Sequence, residues 1–156
     1  MARRTPKAFA LAGFTLIELM VAILVAAVLL SIAIPGYQTY IRKSRRTEAK
    51  TAVLDLAGRE ETLFSTLNKY SANPPDVGYT GAAFPIPVGS SYYTINVAVT
   101  APAANVAPTF LVTALPIAGT SQALDTACAS FSVDQLGNQK ALDSGGADNS
   151  QTCWGN

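Results

Sequence analysis

From Phe14 to Ile34 the chain reads FTLIELMVAILVAAVLLSIAI, apolar at nearly every position and carrying one charge, Glu18. About 21 residues rising about 1.5 Å each span about 30 Å, the thickness of a bilayer's hydrocarbon core. The pattern predicts a helix that is greasy on all sides. Past Pro35 and Gly36 the period changes. Ala49, Ala52, Val53, Leu56, Leu63, Phe64 and Leu67 recur three and four apart, with Arg59, Glu60 and Glu61 among them, the mark of an amphipathic helix. One helix from Phe14 to about Tyr70 is expected, about 85 Å long if straight. Pro35 and Gly36 should kink or loosen it rather than end it.

SANPPDVG stops the helix with two prolines, and the Gly/Pro/Ala-rich stretch to about Gly89 reads as a long surface loop. YYTINVAVT then alternates, with Tyr93, Ile95, Val97 and Val99 on one face. PTFLVTALP is a second strand, CASFSVD a third with Ala129, Phe131 and Val133 facing one way, and QKAL a short fourth after the LGN turn. Strands that follow one another without helices predict an α+β fold: a small antiparallel sheet against the amphipathic half of the helix.

Composition removes several function classes. There is no histidine in the 156 residues, which excludes His-based acid/base pairs, triads and most transition-metal sites. No constellation supports catalysis, and neither cofactor nor metal is expected. Asp143, Asp148 and Asn149 in DSGGADN form a thin calcium motif without alternating carboxylates, better read as a solubilising loop. Gly36–Tyr70 holds seven basic and four acidic residues, whereas from Ser71 onward Lys140 stands alone against five aspartates, a net −4. Direct nucleic-acid binding is therefore not expected of this head. Tyr79, Tyr92 and Tyr93 could serve adhesion but read first as strand or core residues. In an exported chain Cys128 and Cys153 would form one disulfide, worth roughly 3.5 kcal/mol by loop entropy; in a cytosolic one they would be two thiols.

The apolar segment has three readings. A secretory signal would use SIA at 31–33 as its cleavage site, but a carboxylate in its apolar region and a proline just past the cut argue against it. A plain membrane anchor explains the length but not Glu18, since an ionised carboxylate in lipid is normally there for a partner. Cleavage between Gly13 and Phe14 would create that partner. The new amine of Phe14 would lie one helical turn from Glu18, available within one chain or to the next chain in a bundle.

GFTLIEL, the apolar run and IPGYQTYIRKS together resemble the N-terminal signature of class IVa type IV pilins. The resemblance implies a prepilin peptidase that cuts after Gly13 and N-methylates Phe14, with Glu18 serving filament assembly. TACASFSVDQLGNQKA ending in CW, with RTEAKTAVLDLAGREE in the helix, is similar to PilE-like minor pilins. That implies a lollipop fold with a disulfide-bounded D-region, 128–153. The implied organisation is a leader, 1–13; a transmembrane assembly helix, 14–35; the amphipathic half of the spine, 36–70; and a periplasmic or extracellular sheet head, 71–156. Trp154 is expected to cover the disulfide.

The function implied is a structural subunit of a type IV pilus, a minor pilin that primes or decorates the filament in adhesion, twitching motility or DNA uptake. A major pilin, a DNA-uptake pilin and a type II secretion pseudopilin are the alternatives. Its partners would be other pilin subunits, the peptidase, and the inner membrane with its pilus assembly machinery. The precursor would sit in the inner membrane of a Gram-negative bacterium with its head in the periplasm, and later in the pilus. The positive-inside tally opposes this orientation, since RKSRR and Lys50 outnumber Arg3, Arg4 and Lys7. The cluster is expected to meet lipid headgroups or acidic heads of neighbouring subunits.

Overall fold

The computed structural model describes residues 13–103 and 106–155. The leader expectation, 1–12 up to the Gly13 junction, therefore lies outside the described residues. The chain divides into two compact units, one ending at Thr39 and the other beginning at Tyr40.

The first unit is described by the start of helix α1, which as a whole runs Leu16–Leu67. The helix continues through Pro35 without a break. Nearby hydroxyls turn onto the ladder: Ser31 Oγ donates to the Val28 carbonyl at 2.7 Å and Thr39 Oγ1 to the Pro35 carbonyl at 3.0 Å. A window of 18 residues in α1 reaches a mean hydropathy of 2.8 with none of it buried. By length and composition this helix can cross a membrane.

In the second unit the same helix turns one face to a sheet. Ala49, Val53, Leu56, Ala57 and Glu60 are buried. α1 stops at Leu67, three residues short of the expected end. Asn68 takes the left-handed conformation (φ 53°) and donates its N–H to the Phe64 carbonyl at 2.8 Å, as helix C-termini require. Leu67, expected on the core face, is exposed because the chain leaves the helix there.

The five antiparallel strands lie in sequence order: β1, Ile86–Val88; β2, Tyr93–Thr100; β3, Thr109–Pro116; β4, Ser130–Asp134; β5, Gln139–Leu142. Four match the alternation in the sequence. β1 corrects the expectation of an unbroken loop from helix to Gly89, and a 3₁₀ turn at Pro74–Val77 lies in the same stretch. A three-residue IPV strand has no alternation long enough to recognise. On the inner face Tyr93, Ile95, Val112, Ala114, Phe131 and Ala141 are fully buried and meet the helix residues in one core.

Both sheet edges are partly covered. In β1 the register sets Pro87 opposite Thr94. A proline cannot exchange both hydrogen bonds of a close pair, so Pro87 faces its backbone outward, with no N–H to offer. Beside β5, Asn149 donates to the Ala141 carbonyl at 2.8 Å and Ala141 N–H to Ser150 Oγ at 2.9 Å. The turn after β1 is tied to α1 by the Glu48 carboxylate, which accepts from Ser90 N–H and Oγ at 2.9 and 3.0 Å. Gly89, at φ +55°, is needed there because a Cβ would run into that carboxylate.

Candidate functional site

At the start of α1, Gly13 has nothing within 4 Å of where a side chain would begin, and Phe14 is 82% exposed. Thr15 Oγ1 accepts the Glu18 N–H at 3.3 Å and its carbonyl accepts Leu19 N–H at 3.2 Å. Thr15 is thus the helix N-cap, and Glu18 stands at the third helical position, the spacing of a capping box. The positive end of the helix dipole favours an anion there. This local role of Glu18 was readable from the T-x-x-E spacing and escaped the reading that looked only for a charged partner. Gly13, Phe14 and Glu18 lie together at this end, in the first unit.

Cations of the second unit form a separate group. Arg46 donates from Nε and Nη2 to the two oxygens of Asp125, each at 2.7 Å, and the carboxylate raises its pKa further. Lys50 donates to the Trp154 carbonyl at 3.1 Å; burial, then the Arg46 charge, lowers its pKa. Arg45 lies 3.4 Å from the Tyr92 ring centroid and donates to Ser121 Oγ at 2.7 Å, a cation–π seat. Buried Gln122 ties this group together, its Nε2 donating to the Arg42 carbonyl, Tyr93 hydroxyl and Asp125 at 3.3, 2.8 and 3.1 Å. Burial pushes the Tyr93 phenol up to about 12. Part of RKSRR is therefore used inside the subunit, which the sequence reading did not foresee.

Cys128 and Cys153 form the expected disulfide. Two contacts bracket it, Arg46–Asp125 before Cys128 and Lys50–Trp154 after Cys153, so the bounded loop is pinned to consecutive turns of α1. The Trp154 ring packs edge-on against Phe131, with centroids 5.8 Å apart. It extends the core and also abuts the bridge in sequence. In the 143–150 loop Asp143 Oδ1 accepts from Gly145 and Ala147 N–H, and Asp148 Oδ1 from Ser150 N–H. These carboxylates hold their own turns. The described residues contain no acidic, cysteine or histidine cluster able to hold a metal.

The outer sheet face is mostly uncharged. Asn96, Thr113, Ser132 and Lys140 pair across four strands in one row, flanked by exposed Leu111 and Leu115. Tyr79, one of the tyrosines considered for adhesion, instead donates to Asp55 at 2.6 Å, and burial first, then Asp55, raises its pKa.

Two family models match. Residues 12–34 match the prokaryotic N-terminal methylation motif, and residues 35–132 match the family described as type IV minor pilin ComP, DNA uptake sequence receptor. Among curated proteins, the chain is 36% identical over 67 residues to the type IV major pilin protein PilA of Myxococcus xanthus, covering 43% of this chain and 30% of that one. It is 38% identical over 72 residues to the type IV major fimbrial protein FimA of Dichelobacter nodosus, covering 45% and 44%. It is 58% identical over 36 residues to the prepilin peptidase-dependent protein D of Escherichia coli, covering 23% and 25%. The chain thus spans less than half the length of these relatives. The second model alone covers well over half of the chain, so the chain belongs to that family: it is a type IV pilin, a structural protein and not an enzyme, with a membrane-anchored precursor.

Proposed function

We propose that this chain is a minor subunit of a type IV pilus that serves DNA uptake. It is cut between Gly13 and Phe14 by a prepilin peptidase, methylated on the new Phe14 amine, and drawn into the filament by its apolar helix and Glu18. The match over 35–132 carries this reading, because it spans the sheet-packed part of α1 and β1 through most of β4. The relatives named major pilins match shorter stretches, 67 and 72 residues. Residues 1–13 are the leader, 14–35 the membrane-embedded assembly helix, and 36–70 with 71–156 the spine and head. The exposure of Glu18 at the helix start supports its pairing with the Phe14 amine of the same or the next subunit, and on this reading Pro35 and Gly36 loosen the helix where it passes from lipid into the filament. The head faces away from the cytoplasm, where its disulfide persists.

A second reading, a major subunit for adhesion or twitching, is favoured by the names of the relatives. Deletion in the producing strain separates the two. A minor DNA-uptake subunit leaves surface fibres at near normal number while transformation collapses; a major one takes the fibres with it.

A further inference from the structure

We infer that the base of the head carries a binding site for the phosphate of an anionic phospholipid headgroup, built from Arg42, Lys43 and Arg45. The apolar run ends at Ile34, and five cations follow within the next sixteen residues: Arg42, Lys43, Arg45, Arg46 and Lys50. Two are used internally, Arg46 by Asp125 and Lys50 by the Trp154 carbonyl. Among the described residues none of the other three has an ion-pair partner. The two arginines are more than solvated charges on a helix face. Arg42 Nε is buried and lacks a hydrogen-bond acceptor among the described residues, a state that buried donors rarely keep. The Arg45 guanidinium is held in place by the Tyr92 ring and Ser121, partners that fix its position without neutralising it. Lys43, next to Arg42 in the sequence, is exposed. Tyr40, also exposed, precedes the cluster as the aromatic residues of membrane interfaces do.

The occupant follows from charge and from place in the chain. A membrane-anchored precursor brings residues that close to its apolar run to the headgroup layer, where anionic lipid attracts basic segments. Cations on the exported side also run against the positive-inside bias, and a headgroup contact gives them a use there. Once the subunit leaves the membrane, the site is vacated.

The test uses the full chain in non-ionic detergent micelles doped with phosphatidylglycerol or with phosphatidylcholine, reading thermal stability as lipid fraction rises. Phosphatidylglycerol raises the melting temperature and phosphatidylcholine does not. Lys43→Gln, at an exposed position that no fold contact uses, weakens the response about fivefold. Arg45→Gln weakens it as well, and Lys140→Gln, the same charge loss on β5, leaves it intact. Equal responses to the two lipids, or equal losses from Lys43→Gln and Lys140→Gln, overturn the site. So does an equal response to inorganic phosphate or to duplex DNA at matched phosphate concentration, which would assign the cluster to a soluble anion or to nucleic acid.

Discussion

Arg46 and Asp125, 79 positions apart, meet as a two-pronged pair with both contacts at 2.7 Å. Their side chains are only 12% and 6% exposed. Removing one member of such a pair strands the other as a buried charge, at about 3–5 kcal/mol. Asp125→Ala should lower the unfolding free energy by that amount in urea titration. Arg46→Met with Asp125→Leu should recover most of it, because an apolar pair of similar volume leaves nothing stranded.

Glu60 sits in the helix face that meets the sheet, fully buried. One carboxylate oxygen accepts Ser71 N–H at 3.0 Å, and the other has no partner among the described residues. Burial first, with Asp76 and Glu61 adding repulsion, raises its pKa above the ordinary 4.5. A carboxyl that binds its proton more tightly when folded stabilises the fold at low pH, and that contribution fades as pH climbs from the ordinary value through the raised one. Melting temperature should therefore fall across that window in the wild type. Glu60→Gln should remove that part of the slope; an unchanged slope would place the titration elsewhere.

Glu18 offers a separate test of assembly. Glu18→Ala should still be inserted and cut, since neither membrane insertion nor the Gly13 junction needs the carboxylate, but it should be depleted in sheared surface fibres. The mature wild-type subunit should begin with N-methyl-Phe14 by mass spectrometry. Normal incorporation of the variant would remove the assembly role, leaving Glu18 as a first-turn anion at the positive end of the helix dipole.

Any hold on DNA by the head should show a shallow salt dependence. From Ser71 onward Lys140 is the sole cation, and Lys69 is the nearest addition from the chain before it. Two phosphate contacts correspond to a log–log slope of about −2 against salt for duplex DNA. A much steeper slope in fluorescence anisotropy would bring in the cations of α1. Loss of that steep part in Lys43→Gln would then locate the contact at the base of the head.

The sequence made the long features legible and the short ones opaque. A 21-residue stretch, apolar but for Thr15, Glu18 and Ser31, and the alternation of Tyr93, Ile95 and Val97, are each long enough to be read. β1 is too short to repeat anything, and Pro85 before it and Pro87 inside it look like loop. Glu60, between charged neighbours, carries no sign of burial in the sequence; only the loop that folds back through Ser71 shows it. The basic cluster was visible as charge, yet its division between Asp125, Tyr92 and Trp154 depends on partners 47 to 104 positions away. Such pairings have no local signature.

A proline turned outward at one margin of the sheet and a peptide segment laid along the other shorten the backbone ladder that a second head could extend. The strand margins of two neighbouring heads therefore offer each other only short runs of free backbone.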